Sequence, residues 1–481
     1  MYQRYKKVPY TSSTSPLKTT QVCNLNSINT WHIKIFHLYD HYPILDEVIV
    51  LDRYLEWKNF LRKDHIGNHT INSFVGVLLK TIFGYNFEYS RYLTLLLSIA
   101  SIFYFYRLIK TNKSYYCAIL GIILLSINIY HIRYSIELRS YTLTFLLTII
   151  LLNLIFYQGK IREFRNFLNY IIIFIVSLLM LFSHAFTLIV IASINFYIFL
   201  LWIVKKNFTK NNILLFLSTL VSSLVFILIY INNITHTPSW IPELKNSFFT
   251  NYYFSSFFGS RILGLLHLFI LLYLIFIQFN KVLKKFDIEL FFIILIFLTY
   301  IIPITYSLIF EPILIDRYIF FVLIPILYLL SCLTLDFNNS YKKYTFIILL
   351  IVPSFFNHFS ENTFKQFYTN IYASKPEVGK SLGYMVKNNQ LNYSFVLVKD
   401  NPTNVNFVYR NYLKQYSKKI SKDLVYFDYA KNPKLPNNLW LIYFTDVTNE
   451  KFIKPIELKD YVIKSNKMFN HLELYQLKKI D

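Results

Sequence analysis

Ten apolar blocks, each without an interior charge and most near the length of a bilayer crossing, decide what this 481-residue chain can become. They lie near Tyr92–Ile109, Tyr115–Tyr130, Tyr141–Tyr157, Phe167–Phe182, Ala185–Val204, Ile213–Ile231, Ile262–Phe279, Ile288–Phe310, Tyr318–Leu335 and Tyr344–Phe356. A water-facing fold cannot cover so much apolar surface. Hydrophobic residues make up 55% of the chain and charged ones only 16%, against roughly 25% in a soluble domain. The shorter blocks need interfacial Tyr and Trp to complete a crossing.

Cationic runs separate the blocks in alternation. Arg107, Lys110 and Lys113 fill the first loop, Lys160, Arg162 and Arg165 the third, and Lys205, Lys206 and Lys210 the fifth. Lys281, Lys284 and Lys285 fill the seventh, and Lys342 and Lys343 the ninth. The positive-inside rule holds these odd loops in the cytoplasm. The even loops, the segment before Tyr92 and everything after Phe356 are then extracytoplasmic. The formal charge of +23, from 49 Lys+Arg against 26 Asp+Glu, is spread over short runs between membrane blocks. That is loop patterning, and nucleic acid is not an expected partner. The expectation is a multi-pass protein of the plasma (inner) membrane, in contact with its lipids.

Three segments follow. Residues 1–45 are polar and read as loop or disordered chain. Residues 46–356 form the transmembrane domain with its extracytoplasmic loops. Residues 357–481 form a small soluble α/β domain, with a helix over Pro376–Lys387 and strands at Ser394–Val398, Asn406–Tyr409, Leu424–Phe427 and Leu439–Phe444. The amphipathic stretch Ile71–Phe83 and the aromatic stretch Phe248–Phe258 suit the membrane surface. Cys117 and Cys332 fall inside apolar blocks and read as small buried hydrophobes. With Cys23 they show no metal-ligand spacing.

Charged residues at a membrane boundary are costly and therefore informative. Asp46-Glu47 is a carboxylate pair fit for a general base or a cation, or simply a solvated loop. The run from Tyr130 to Tyr141 packs His131, Arg133, Glu137 and Arg139 between two spans. Its arginines either grip a phosphate or anchor helix ends at the headgroups. Asp316-Arg317-Tyr318 opens a later span, where Asp316 either takes part in the chemistry or only neutralises Arg317. His184 and His69 lie at extracytoplasmic turns, where a lone histidine is more often structural than reactive. Acids beside arginines on that face suit an anionic, lipid-linked substrate.

The order of these motifs resembles the GT-C superfamily of membrane glycosyltransferases, near the branch of protein mannosyltransferases and lipid A aminoarabinose transferases. Asp46-Glu47 resembles the acidic pair of that family's first outer loop. His69-Thr70-Ile71 is similar to its His-Pro-Pro-Leu segment, although no proline follows this histidine. Glu88-Tyr89-Ser90-Arg91 resembles a Glu-x-x-Arg opening the next span. Ser135-Ile136-Glu137-Leu138-Arg139-Ser140-Tyr141 resembles Ser-x-Glu-x-Arg-x-Tyr. Ser183-His184-Ala185-Phe186 resembles Thr-His-Tyr-Phe, and Arg317-Tyr318, seven residues before Pro325, a late Arg-Tyr.

The resemblance implies an α-helical polytopic GT-C-like membrane fold of about ten spans, with the small C-terminal α/β domain outside the membrane. It implies sugar transfer from a polyprenyl-phosphate-linked donor to a lipid, polysaccharide or protein acceptor. Asp46 would be the base, with Glu47 beside it. Arg139, Arg133 and Arg317 would bind the donor phosphate, and Glu137, His69, Arg91, Tyr141 and His184 would support them. A divalent metal cation takes part in some relatives and is left open; no other cofactor is expected. The family carries a membrane helix before the acidic pair, whereas Met1 to Asp40 holds no such block and no signal peptide. Three explanations compete, a misplaced start, a lost first helix and a segment that crosses unaided, and an incomplete start is the expectation. Two competing readings are a transporter or flippase of lipid-linked glycans, and an inactive membrane protein of the same fold. Neither mid-span charges nor internal repeats favour transport.

Overall fold

The computed structural model describes residues 69–83, 87–137, 139–230, 253–337 and 339–360. Towards the C-terminus it describes 381, 384–385, 388, 395–399, 425–426, 436–443, 459–469 and 472–480. The helices are α1 (Thr70–Phe83), α2 (Phe87–Asn112), α3 (Tyr115–Ser126), α4 (Ile129–Tyr134), α5 (Ser140–Ile155), α6 (Leu168–Ser183) and α7 (Leu188–Lys205). They continue as α8 (Lys210–Tyr230), α9 (Tyr253–Phe258), α10 (Arg261–Lys285), α11 (Ile288–Ile309), α12 (Leu323–Leu335) and α13 (Ser340–Asn357). Short 3-10 turns at Ala185–Thr187 and Asp316–Val322 lead into α7 and α12.

The described residues of each of the ten apolar blocks are mainly helical. Six of the described helices are long and apolar enough to cross a bilayer: those within 91–112, 185–205, 210–229, 261–285, 288–309 and 316–335. The helices α3, α5 and α6 are apolar but shorter, and α13 carries Lys342 and Lys343 in its first turn. The span ending in α12 is 89% buried, against 33–50% for the other five. It is the central post of the bundle. The others keep Phe103, Leu217, Phe269, Phe276, Phe297 and many similar side chains exposed. A surface of that kind is stable against lipid and not against water.

Two blocks are interrupted, each for a local reason. The block Tyr115–Tyr130 breaks at Ile127–Asn128. Asn128 accepts the amide of His131 on its Oδ1 at 2.9 Å and so starts a new helix, α4. Its Nδ2 donates to the Phe257 carbonyl at 3.0 Å. His358 Nε2 donates to the Ile127 carbonyl left open by the break, at 2.6 Å. The block Tyr141–Tyr157 stops at Ile155. Phe156–Tyr157 (β1) turns back antiparallel to Lys160–Ile161 (β2). Gln158 and Gly159 between them have φ of 51° and 79°, the geometry of a hairpin turn with two left-handed residues.

The bundle has two chemically different ends. At one, the loops carry the cationic runs. Lys113 pairs with Glu289, whose side chain is 4% exposed, and with Asp336 at 3.3 Å. Lys281 reaches Asp336 at 3.1 Å. Tyr197 donates to the Phe286 carbonyl at 2.7 Å, and Ile288 N to the Gly159 carbonyl at 2.8 Å. These bonds tie α2, α7, α10, α11 and α12 together. At the opposite end lie the starts of α2, α5 and the 316–322 turn and the end of α6.

The C-terminal residues form a mixed sheet of five strands in the order β4-β3-β5-β7-β6. Phe395–Lys399 (β3), Val425–Tyr426 (β4) and Asn438–Tyr443 (β5) lie close to three of the expected strands and run parallel. Tyr461–Phe469 (β6) and Leu472–Lys479 (β7) add an antiparallel pair that the sequence reading did not find. Leu439, Trp440, Leu441 and Ile442 are all buried, so both faces of β5 are covered. Buried Ser381 and Met385, in the region expected to be helical, show helical backbone. The expected strand at Asn406–Tyr409 lies outside the described residues.

Candidate active site

The site is assembled from short, irregular pieces between helices. The run 133–142 folds back on itself: Arg139 N donates to the Glu137 carbonyl at 2.7 Å, and Thr142 Oγ1 to the Tyr134 carbonyl at 2.6 Å. Arg139 is thereby held extended (φ −142°, ψ 159°) at the cap of α5, half-buried, while Glu137 is buried beneath. The 316–322 turn starts with Asp316 Oδ1 accepting the Arg317 amide at 2.7 Å. The α6–α7 junction holds His184 extended, its Nδ1 accepting the Phe186 amide at 3.3 Å.

Five residues singled out by sequence come together here: His69, Arg139, Tyr141, His184 and Arg317. The His69 and His184 rings stack with centroids 5.1 Å apart and 17° between planes. His69 Nδ1 donates to the Ser183 carbonyl at 3.1 Å. Tyr141 packs against both rings, at 6.0 and 5.7 Å. Tyr318 lies 5.0 Å from His184, and Phe186 5.2 Å from Tyr318. The guanidinium groups of Arg139 and Arg317 are near enough to act on both imidazoles. Burial, then the Arg317 and Arg139 charges, push His184 down to about 3. Burial, then His184 and Arg139, hold His69 well below the ordinary range. Both rings are therefore neutral at working pH.

Arg133 belongs to a neighbouring group. Its guanidinium lies 5.7 Å from the Tyr134 ring and senses Glu137 and Asp316. Asp316 thus serves Arg133 as well as its neighbour Arg317. Tyr134 joins the two groups, 4.7 Å from Tyr130 and 5.0 Å from Tyr141. Arg91 is buried at the start of α2, where Tyr92 and Leu95 pack on Ile136 of the same loop. Asp46 and Glu47 lie outside the described residues.

Sequence reasoning missed the tyrosines. Tyr134 and Tyr318 sat inside quoted motifs, but a Tyr at a helix end is ordinarily a headgroup anchor. Among the described residues no three His, Cys, Asp or Glu gather where they could hold a metal ion. His69 and His184 stack face to face and do not converge on a point.

Arginines, neutral imidazoles and phenols gather at one end of an apolar helical bundle, the bundle of an integral membrane protein. The fold has solved counterparts. ArnT of Cupriavidus metallidurans, a lipid A aminoarabinose transferase, superposes in its apo state with a TM-score of 0.53 at 9% identity, over 93% of this chain and 96% of that one. Its structure bound to undecaprenyl phosphate gives 0.52 at 10% identity, over 93% and 97%. The oligosaccharyltransferase of Archaeoglobus fulgidus gives 0.43 at 10% identity, over 78% of this chain and 59% of that one. No protein-family model and no curated protein matches the sequence. The likeness to ArnT, spanning nearly the whole of both chains, establishes a shared architecture: the chain has the GT-C fold.

Proposed function

We propose that this protein transfers a sugar from a polyprenyl-phosphate-linked donor to a lipid, polysaccharide or protein acceptor on the extracytoplasmic side of the plasma membrane. The observation that carries the reading is the convergence of Arg139 and Arg317 on one aromatic-lined place at the bundle end opposite the cationic loops. When the acceptor oxygen bonds to the anomeric carbon, the bond from that carbon to the phosphate oxygen breaks. Its electron pair stays with the phosphate, which goes from one negative charge to two. Two guanidinium groups, each able to give paired charge-assisted hydrogen bonds, suit that growing charge. Arg133, one tyrosine away, forms the outer part of the same positive field. Asp46 takes the proton of the acceptor hydroxyl, with Glu47 beside it. The lipid chain lies against the exposed apolar helices, and confinement in the membrane supplies positioning.

Transport fits less well. The opposite end of the bundle is locked by the Lys113–Glu289 and Lys281–Asp336 pairs, on helices that a through-path would have to separate.

The test is transfer in proteoliposomes with a panel of polyprenyl-phosphate hexoses and pentoses. Arg139→Ala should lower turnover about 100- to 1,000-fold, the usual cost of one transition-state donor. Asp46→Asn should abolish transfer while the protein still accumulates in the membrane. Wild-type transfer by Asp46→Asn would remove the base assignment, and full turnover by Arg139→Ala the phosphate assignment.

A further inference from the structure

The stacked histidines carry more than packing. Their Nδ1 atoms are both committed, and in opposite senses. His69 Nδ1 faces the Ser183 carbonyl at 3.1 Å, and a carbonyl only accepts, so the proton of neutral His69 is on Nδ1 and its Nε2 holds a lone pair. His184 Nδ1 faces the Phe186 amide at 3.3 Å, and an amide only donates, so the proton of neutral His184 is on Nε2. Neither Nε2 makes a hydrogen bond with a described residue. The backbone has fixed two neighbouring rings in complementary tautomers, one presenting an acceptor and the other a donor, beside Arg139 and Arg317.

We propose that the His69–His184 pair reads a hydroxyl of the donor's sugar, the hydroxyl donating to His69 Nε2 and accepting from His184 Nε2–H. This rests on the lipid-phosphate-sugar reading of the site. The ligand class follows from the chemistry. A phosphate oxygen only accepts, and it would be repelled by the His69 lone pair. An acyl chain does neither. A hydroxyl does both, and a sugar bound through its anomeric phosphate to the two arginines brings hydroxyls within a few ångströms of that phosphate. Among the described residues the charged and titratable groups packed around the rings are Arg139 and Arg317, with Tyr141 and Tyr318. Among the described residues no carboxylate acts on either ring, and burial with the two guanidinium groups keeps both rings neutral across working pH. The two histidines are specificity and positioning residues; the chemistry stays with the groups named above.

The substitutions His69→Asn and His184→Asn separate reading from folding. An Asn side chain retains the donor to Ser183 in the first case and the acceptor for Phe186 in the second, and Asn is itself a favoured cap. Each removes the Nε2 function together with the ring's packing on its neighbours, and binding of the bare lipid phosphate reports the packing loss separately. The probes are a polyprenyl phosphate without sugar and the polyprenyl-phosphate sugar that the wild type turns over, with binding measured on purified protein in lipid nanodiscs. The sugar-bearing lipid should lose about tenfold in affinity in either variant, while the bare lipid phosphate keeps wild-type affinity. Deoxy-sugar donors that bind the wild type weakly should bind the variants no worse. Equal weakening of both lipids, or no weakening of either, overturns the proposal. A loss of turnover at unchanged donor affinity, together with loss of the acid limb of the rate profile, assigns a proton-accepting role instead and also overturns it. Failure of the wild type to bind the bare lipid phosphate would sink the reading of the whole site, a result distinct from any of these.

Discussion

At position 184 a histidine occupies a cap position where Ser, Thr, Asp or Asn is the ordinary choice. Capping through Nδ1 requires the neutral ring, and the setting enforces it: burial first, then Arg317 and Arg139, hold its protonation down to about 3. In the unfolded chain the same ring takes a proton near 6.5. Between those values the unfolded chain carries the extra proton, so the contribution to stability is complete above about 6.5 and is lost as pH falls towards 3. Thermal unfolding in detergent should therefore show stability falling below pH 6.5, with up to about 1.4 kcal/mol per pH unit from this one group. His184→Asn should flatten the profile by that amount. Identical slopes in the two proteins would mean that the folded protein already carries the proton. At this scale the sequence was legible where residues were rare. Charged and histidine side chains at a membrane boundary stand out, and five of those chosen meet. Tyr134 and Tyr318 did not stand out, because this chain has 41 tyrosines and most have no need to be anything but anchors.

Elements were legible wherever burial alone decided them. The described residues of all ten apolar blocks are mainly helical, since a backbone in lipid must satisfy itself. What could not be read was where a helix stops inside an apolar run, because hydropathy is silent there and a single polar side chain decides. Asn128 is that residue for α3 and α4. It caps α4 through Oδ1 and holds α9 through Nδ2. Asn128→Ala removes a cap and strands the buried Phe257 carbonyl, and should cost about 1–3 kcal/mol. Unfolding of the purified variant measures it, and a loss under about 0.5 kcal/mol would show that the break is set by the chain's path and not by Asn128. The β6–β7 pair was illegible for another reason. In Tyr461–Phe469 most side chains are exposed, and lysines and asparagine stand where a half-buried strand would alternate. The strand is held by its pairing with β7, a long-range cause that leaves little local trace.

The whole molecule is polarised along the membrane normal, and that polarity is what the proposed chemistry needs. One end gathers the lysine-rich loops, with Glu289 and Asp336 neutralising Lys113 and Lys281 among them. The other gathers Arg139, Arg317, the histidines and the aromatic rings. Arginines serve both a headgroup anchor and a phosphate site, so composition alone cannot distinguish the ends; the lysine-rich loops can, because cations close to the helix ends resist translocation. On that rule the site proposed above faces outwards, the side on which the proposed lipid-linked donor is to be used. Single exposed cysteines read this out. Cys23→Ser removes one native thiol, and Cys117 and Cys332 are buried. In that background Glu311→Cys, in the exposed turn before Asp316, should react with a membrane-impermeant maleimide added to intact cells. Arg165→Cys, in the third loop, should react only after the membrane is opened. The reverse pattern would turn the site to the cytoplasm and overturn the proposed extracytoplasmic transfer. Labelling of both from outside would break the crossing pattern between the two loops, and with it the assignment of α6 and α7 to their present directions.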